Sequence, residues 1–169
     1  MTVNDLERLY DYGYWANNKI LGVVSQLTPA QFTETVAGSY GSVRNTMVHM
    51  LSAEWGWLDR CGGPARGAAL KPDDYPLAQP LVETWNKVEG QVREFLATLK
   101  DEDLPRIVEF KNPRGELRAM ALGELMQHAA NHGVHHRGQV ALLLRALGHA
   151  PGNFDLLFYD AERHRVSAW

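Results

Sequence analysis

Three histidines fall within five residues in the run Asn131-His132-Gly133-Val134-His135-His136-Arg137-Gly138-Gln139, and a fourth, His128, stands one helical turn upstream. Neutral imidazole is the commonest protein ligand for transition metals. Residues four apart on a helix share a face, with Cβ atoms about 6 Å apart. His132 and His136 can therefore reach one ion, while His135 points elsewhere. A catalytic zinc-type site takes three protein ligands and leaves one position open. The third ligand must come from another part of the chain, because three histidines at successive i+4 positions would string out over about 12 Å of straight helix. His49 lies on a helix at a comparable depth from a helix end and is favoured over His128. His128 then reads as a supporting or surface residue. His149 and His164 fall in terminal segments without an evident partner.

Other metal chemistries fit less well. His132 and His136 have the outer spacing of a zincin helix, but Gly133 stands where that motif needs its general-base glutamate. Di-iron bundles use Glu-x-x-His pairs, and Glu124 is one residue too far from His128. Ligands that are all imidazole suit Zn²⁺, Ni²⁺, Co²⁺ or Cu²⁺ better than Mg²⁺ or Ca²⁺. A single histidine on an apolar stripe is ordinarily a hydrogen-bonded core residue. Two on the stripe each need a buried partner, which favours a shared ion.

The elements that must position these residues are helices. Leu6, Tyr10, Ile20 and Val24 recur at helical spacing, so 4–27 reads as a first helix with Asn4 as N-cap and Glu7 as its capping-box partner. Asn17 on this stripe reads as a buried amide bonded to a neighbouring helix. Thr28-Pro29 starts one further turn through Gln31-Phe32. Residues 33–41 form a loop. Ser42 caps a second helix that runs to Cys61 and stops at Gly62-Gly63-Pro64. Its stripe is Val43, Met47, Met50, Leu51, Trp55 and Leu58, with His49 on the flank. Residues 64–78, rich in Pro, Gly and Ala, make a long connection. A third helix spans about 79–99. Residues 101–118 lose the helical period and predict a short, marginal hairpin packed on the helices, with a turn at Asn112-Pro113-Arg114-Gly115. The fourth helix spans 121–147 and ends at Gly148. Gly133 and Gly138 inside it signal close helix approach or an open space. A short amphipathic helix over 154–164 follows, and the last residues, through Trp169, are expected to be loosely held. Four amphipathic helices with one long crossover predict an all-α, single-domain four-helix bundle over 1–169.

Composition narrows the class. The chain has 169 residues, 45% hydrophobic and 22% charged, with a net charge of −3. Its basic residues are scattered in runs of two at most, so the footprint of a nucleic-acid binder is missing. The lone Cys61 excludes an intramolecular disulfide and a cysteine-type zinc site, and is expected to be buried and inert. Asp5, Glu7, Arg8 and Asp11 do not suit a signal peptide, and no apolar run approaches a membrane span of about 18 residues. A cytoplasmic protein is expected.

The chain resembles the DinB family, the DinB/YfiT-like metalloenzymes. The resemblance is carried by Tyr14-Trp15-Ala16-Asn17, by Ser42-Val43-Arg44-Asn45-Thr46 with Val48-His49 and Glu54-Trp55, and by Asn131-His132 with His135-His136-Arg137-Gly138-Gln139. It implies an up-up-down-down bundle, a divalent metal (nickel or zinc) on His49, His132 and His136, and a homodimer. It further implies a small-molecule substrate, including low-molecular-weight thiols used by thiol transferases and isomerases. The function expected is therefore a metal-dependent thiol transferase or hydrolase with an open coordination position. The alternative is a non-catalytic metal- or ligand-binding stress-response bundle. Asn131 and Gln139 are placed to orient ligands, Arg137 to meet an anionic substrate or form a salt bridge. Glu54 is a weak candidate for a general base and otherwise structural.

Overall fold

The computed structural model describes residues 1–112 and 114–167. Pro113 of the expected turn, and Ala168 and Trp169 at the end expected to be loosely held, lie outside the described residues. The chain is mostly helical: α1 (Val3–Val24), α2 (Pro29–Thr33), α3 (Val43–Cys61), α4 (Ala78–Thr98), β1 (Ile107–Lys111), β2 (Leu117–Ala121), α5 (Leu122–Ala146) and α6 (Leu156–His164). No helix among the described residues is long and apolar enough to cross a membrane.

Local chemistry sets the helix ends. Ser42 Oγ accepts from Asn45 N to start α3, and Gly62, at φ +98°, ends it. That left-handed conformation suits glycine. Thr28 and Gln31 form a capping box at α2. The cap of α1 is corrected: Thr2 and Asp5 form the box, not Asn4 and Glu7. The Thr2–Asp5 pair has the required spacing two residues earlier, which leaves Asn4 inside the first turn.

Tyr10, Tyr14 and Ile20 of α1, Met47 and Leu51 of α3, Trp85 and Val88 of α4, and Leu125 and Leu143 of α5 are all buried in one core. The long helices pack in the pairs α3–α5, α1–α5, α1–α4 and α3–α4. Their directions follow from particular contacts. Tyr10 Oη donates to Met126 O, and Arg137 Nη1 donates to Asn17 Oδ1, so α1 and α5 run the same way. His49 meets His136, whereas Trp57 meets His128, so α3 opposes α5. Val3 N donates to Asp101 just beyond α4, so α4 opposes α1. The up-up-down-down order is therefore corrected to up, down, down, up for α1, α3, α4 and α5. The reason is the connection 62–77: a crossover that joins two parallel helices must travel their length, and here it joins α3 to α4. The other two links turn back at the end where they leave.

β1 and β2 form the expected hairpin, longer than anticipated, with Ile107 opposite Ala121 and Lys111 opposite Leu117. Phe110 packs edge-on against Trp57 at 5.3 Å. The segment leading into the hairpin also satisfies the start of α5: Leu122 N donates to Arg106 O and Gly123 N to Leu104 O. This replaces the side-chain cap that α5 lacks.

Candidate metal centre

α3 and α5 lie against each other with three imidazoles between them. One helical turn separates His132 from His136, and their Nε2 atoms are 3.0 Å apart. His49 Nε2 is 3.3 Å from His132 Nε2. One ligand atom from each residue lies within 4.8 Å of the others, and this is the one such group among the described residues. Nitrogens bound tetrahedrally at about 2.0–2.1 Å from an ion stand about 3.3–3.4 Å apart, so the spacing fits a shared cation.

The tautomers fit as well. His136 Nδ1 is 2.6 Å from Gln139 Oε1. A carbonyl oxygen only accepts, so Nδ1 carries the hydrogen and Nε2 keeps its lone pair for a metal. Gln139 is itself held: Oε1 accepts from Ser39 Oγ, and its amide nitrogen donates to His135 Nε2. Tyr40 stacks on His49 at 4.1 Å, with its hydroxyl 2.9 Å from His49 Nε2. The sequence reading missed Ser39 and Tyr40. The only signal was their position in the loop before the Ser42 cap, less than two turns ahead of His49 along the helix.

Burial, and then the adjacent imidazoles, push His132 down to about 4. Burial lowers His49 and His136 too, with Gln139 opposing the shift at His136. The cluster is thus neutral at pH 7, as metal ligation requires. A histidine whose folded value lies below its unfolded value of about 6.5 takes up its proton first in the unfolded chain. The metal-free protein should therefore keep its full stability above about pH 6.5 and lose it as the pH falls toward 4. At roughly 1.4 kcal/mol per pKa unit, discounted for partial solvent access, His132 accounts for about 2 kcal/mol over that window. Thermal melts of metal-free protein should show a falling Tm from pH 7 to pH 5, with a shallower fall in His132→Ala. A level Tm in the parent protein would contradict this origin.

The remaining candidates separate clearly. His128 is exposed, 6.3 Å from the His132 ring and 5.0 Å from Trp57, and stands outside the trio. His135 is exposed and engaged with Gln139. Asn131 is exposed, so the orienting role expected of it falls to Gln139. His149 has a partner after all, the Gln31 amide at 3.0 Å. Cys61 is buried and its thiol is pushed up to about 11 by burial, as expected of an inert residue.

Arg137 is 3% exposed, forms no salt bridge among the described residues and donates to Asn17. A Cβ on Gly133 would stand 3.1 Å from its Nη1, so Gly133 makes room for the guanidinium. Glu54 accepts from Tyr14 Oη at 2.8 Å. Burial lifts its carboxyl above the usual range, with the Tyr14 hydrogen bond and the Arg137 charge opposing. It lines a small internal hollow with Arg137, Trp85 and one side of His132. An open groove on another side exposes His49 and His132, and no carboxylate among the described residues lines it.

This histidine trio on two packed helices is carried by a chain whose residues 1–165 match the model of the DinB family. The chain belongs to the DinB family. It is similar to protein DinB of Bacillus subtilis (strain 168), with 24% identity over 90% of this chain and 91% of the relative. YizA of the same organism is 21% identical over 85% of this chain and 89% of its own length. Among solved structures, a DinB-like protein from Bacillus cereus ATCC 10987 superposes with a TM-score of 0.72 at 21% identity, covering 90% of this chain and 97% of that one. A conserved protein from Enterococcus faecalis gives a TM-score of 0.57 at 15% identity over 86% and 96%. These likenesses establish a DinB-like fold.

Proposed function

We propose that this DinB-family protein is a divalent-metal-dependent enzyme acting on a small molecule, of the thiol S-transferase or hydrolase type. His49, His132 and His136 are its ligands, and zinc or nickel is its metal. The observation that carries this reading is the convergence of three Nε2 atoms beside a groove that reaches two of the three imidazoles. A divalent ion on three neutral imidazoles supplies Lewis acidity and lowers the pKa of a thiol or water brought to it. The chain's own residues do the rest. Gln139 fixes the His136 tautomer, and Ser39 fixes Gln139. Tyr40 Oη can hold or pass a proton beside His49. The groove, lined by His49 and His132, would position a substrate beside a bound ion.

The same reading places the protein in the cytoplasm as a single-domain homodimer that binds no nucleic acid. Its four long helices form a four-helix bundle, supported by the four neighbour pairs of α1, α3, α4 and α5.

Metal-loaded protein should transfer a low-molecular-weight thiol to an electrophile at a rate that disappears on chelation and returns with zinc or nickel. Equal rates with and without metal would overturn the enzymatic reading. The absence of a carboxylate in the groove favours one alternative, a bundle that binds metal or ligand without turnover. Tight ligand binding with no metal-dependent conversion of any thiol or ester would select it.

A further inference from the structure

We propose that the groove beside the histidine trio is a recognition site for an elongated anionic small molecule: a carboxylate-bearing compound with a flat or apolar body. This rests on the metal-centre reading only in that the groove supplies that centre with its substrate.

Three elements each bring a cation to the groove: Arg60 from α3, Arg66 from the crossover, and Lys111 from the end of β1. The chain as a whole carries a net charge of −3, yet no carboxylate lines this hollow. An acidic protein that gathers three permanent positive charges in one concave surface focuses its field on anions there. Arg66 is held in place. Its Nη1 donates to Ser52 O and Oγ, and Leu70 N also donates to Ser52 Oγ. Gly56 makes this possible, because a Cβ there would stand 2.7 Å from Arg66 Nη1. Arg60 lies over the Trp57 ring at 4.8 Å. Trp57 and Phe110, edge to face, give the groove an aromatic wall between the cations.

The helix sets the length of the ligand. At about 1.5 Å per residue, Ser52, which anchors Arg66, is about 5 Å along α3 from His49. The Arg60 guanidinium reaches back to Gly56 O and over the Trp57 ring, about 11–12 Å along. A molecule whose reacting group lies at the imidazoles thus meets its first cation after about 5 Å and its second, over the aromatic wall, at about 11–12 Å. Acidic groups remote from the reacting atom are what this spacing selects.

The test compares three ligands of one skeleton, 4-phenylbutyrate, 4-phenylbutanol and 4-phenylbutylamine, titrated calorimetrically into metal-loaded protein. The carboxylate should bind roughly tenfold more tightly than the alcohol, and the amine more weakly still. Arg60 and Lys111 are exposed, and the double variant R60Q/K111Q should cut the preference from about tenfold to about threefold, Arg66 keeping the remainder. The preference should persist in metal-stripped protein. Equal binding of carboxylate and alcohol would overturn the proposal, as would an undiminished preference in R60Q/K111Q. Loss of the preference on metal removal would overturn it too, because the carboxylate would then have been held by the ion. A lost preference with metal content and thiol transfer intact removes this proposal alone. A retained preference without turnover keeps the groove assignment and removes the enzymatic reading.

Discussion

Replacing His132 with Ala is expected to abolish stoichiometric metal binding. His132 is the hub of the trio: its Nε2 lies 3.0 Å from that of His136 and 3.3 Å from that of His49. Partners that only orient a ligand commonly cost 10–100-fold in affinity when lost. Removing one of three ligands should therefore cost more than about 100-fold. His136→Ala should behave alike, and His49→Ala should weaken binding strongly. His128→Ala should leave affinity unchanged, since its ring faces Trp57 from an exposed position. Elemental analysis after desalting, with chelator competition for affinity, provides the measurement. Full metal content in the His132 variant would refute the centre. A larger loss for His128→Ala than for His49→Ala would show that the third ligand had been misassigned.

The closeness of His132 and His136 on α5 was legible because i, i+4 spacing carries it within a single helix. That His49 would join them was legible only by comparing depth along two helices, which works when those helices pack antiparallel at that level, as α3 and α5 do. Loop geometry has no such period. Ser39 adopts φ +48°, and nothing in its residue type announces that its hydroxyl reaches Gln139 across a hundred residues. Helix direction is set by connections. Residues 64–78 were recognised as a long crossover, and a single crossover of that kind already implies that α3 and α4 are parallel. The up-up-down-down order came from resemblance and did not use that constraint. Asn17 was read as a buried amide bonded to a neighbouring helix, and it is. Its partner Arg137 was read as meeting an anionic substrate or forming a salt bridge. Its bond to Asn17 was not legible, because the space for a guanidinium between α1 and α5 depends on how Gly13 and Gly133 face each other across the two helices.

That buried guanidinium leads to a large effect on stability. Arg137 fills the space between the glycines, donates to Asn17 and lies with its guanidinium 5.5 Å from the Tyr12 ring centre. Its charge also helps to hold the Glu54 carboxyl down against burial. Arg137→Ala removes all of this at once. It opens a void, leaves Asn17 Oδ1 without its donor and leaves Glu54 with less compensation for its charge. A void left by a large buried side chain and a buried acceptor left without its donor each cost about 1–3 kcal/mol, and about 3 kcal/mol is the expected drop in unfolding free energy by denaturant titration. Arg137→Met tests how the loss divides. Methionine restores most of the volume but no donor and no charge, so it should recover part of the loss, and the remainder should shrink in the double variant R137M/E54Q. A drop below about 1 kcal/mol in Arg137→Ala would mean that the network contributes little beyond solvent-exposed contacts of ordinary strength. An R137M/E54Q protein no more stable than R137M would place the whole effect in packing and the Asn17 bond.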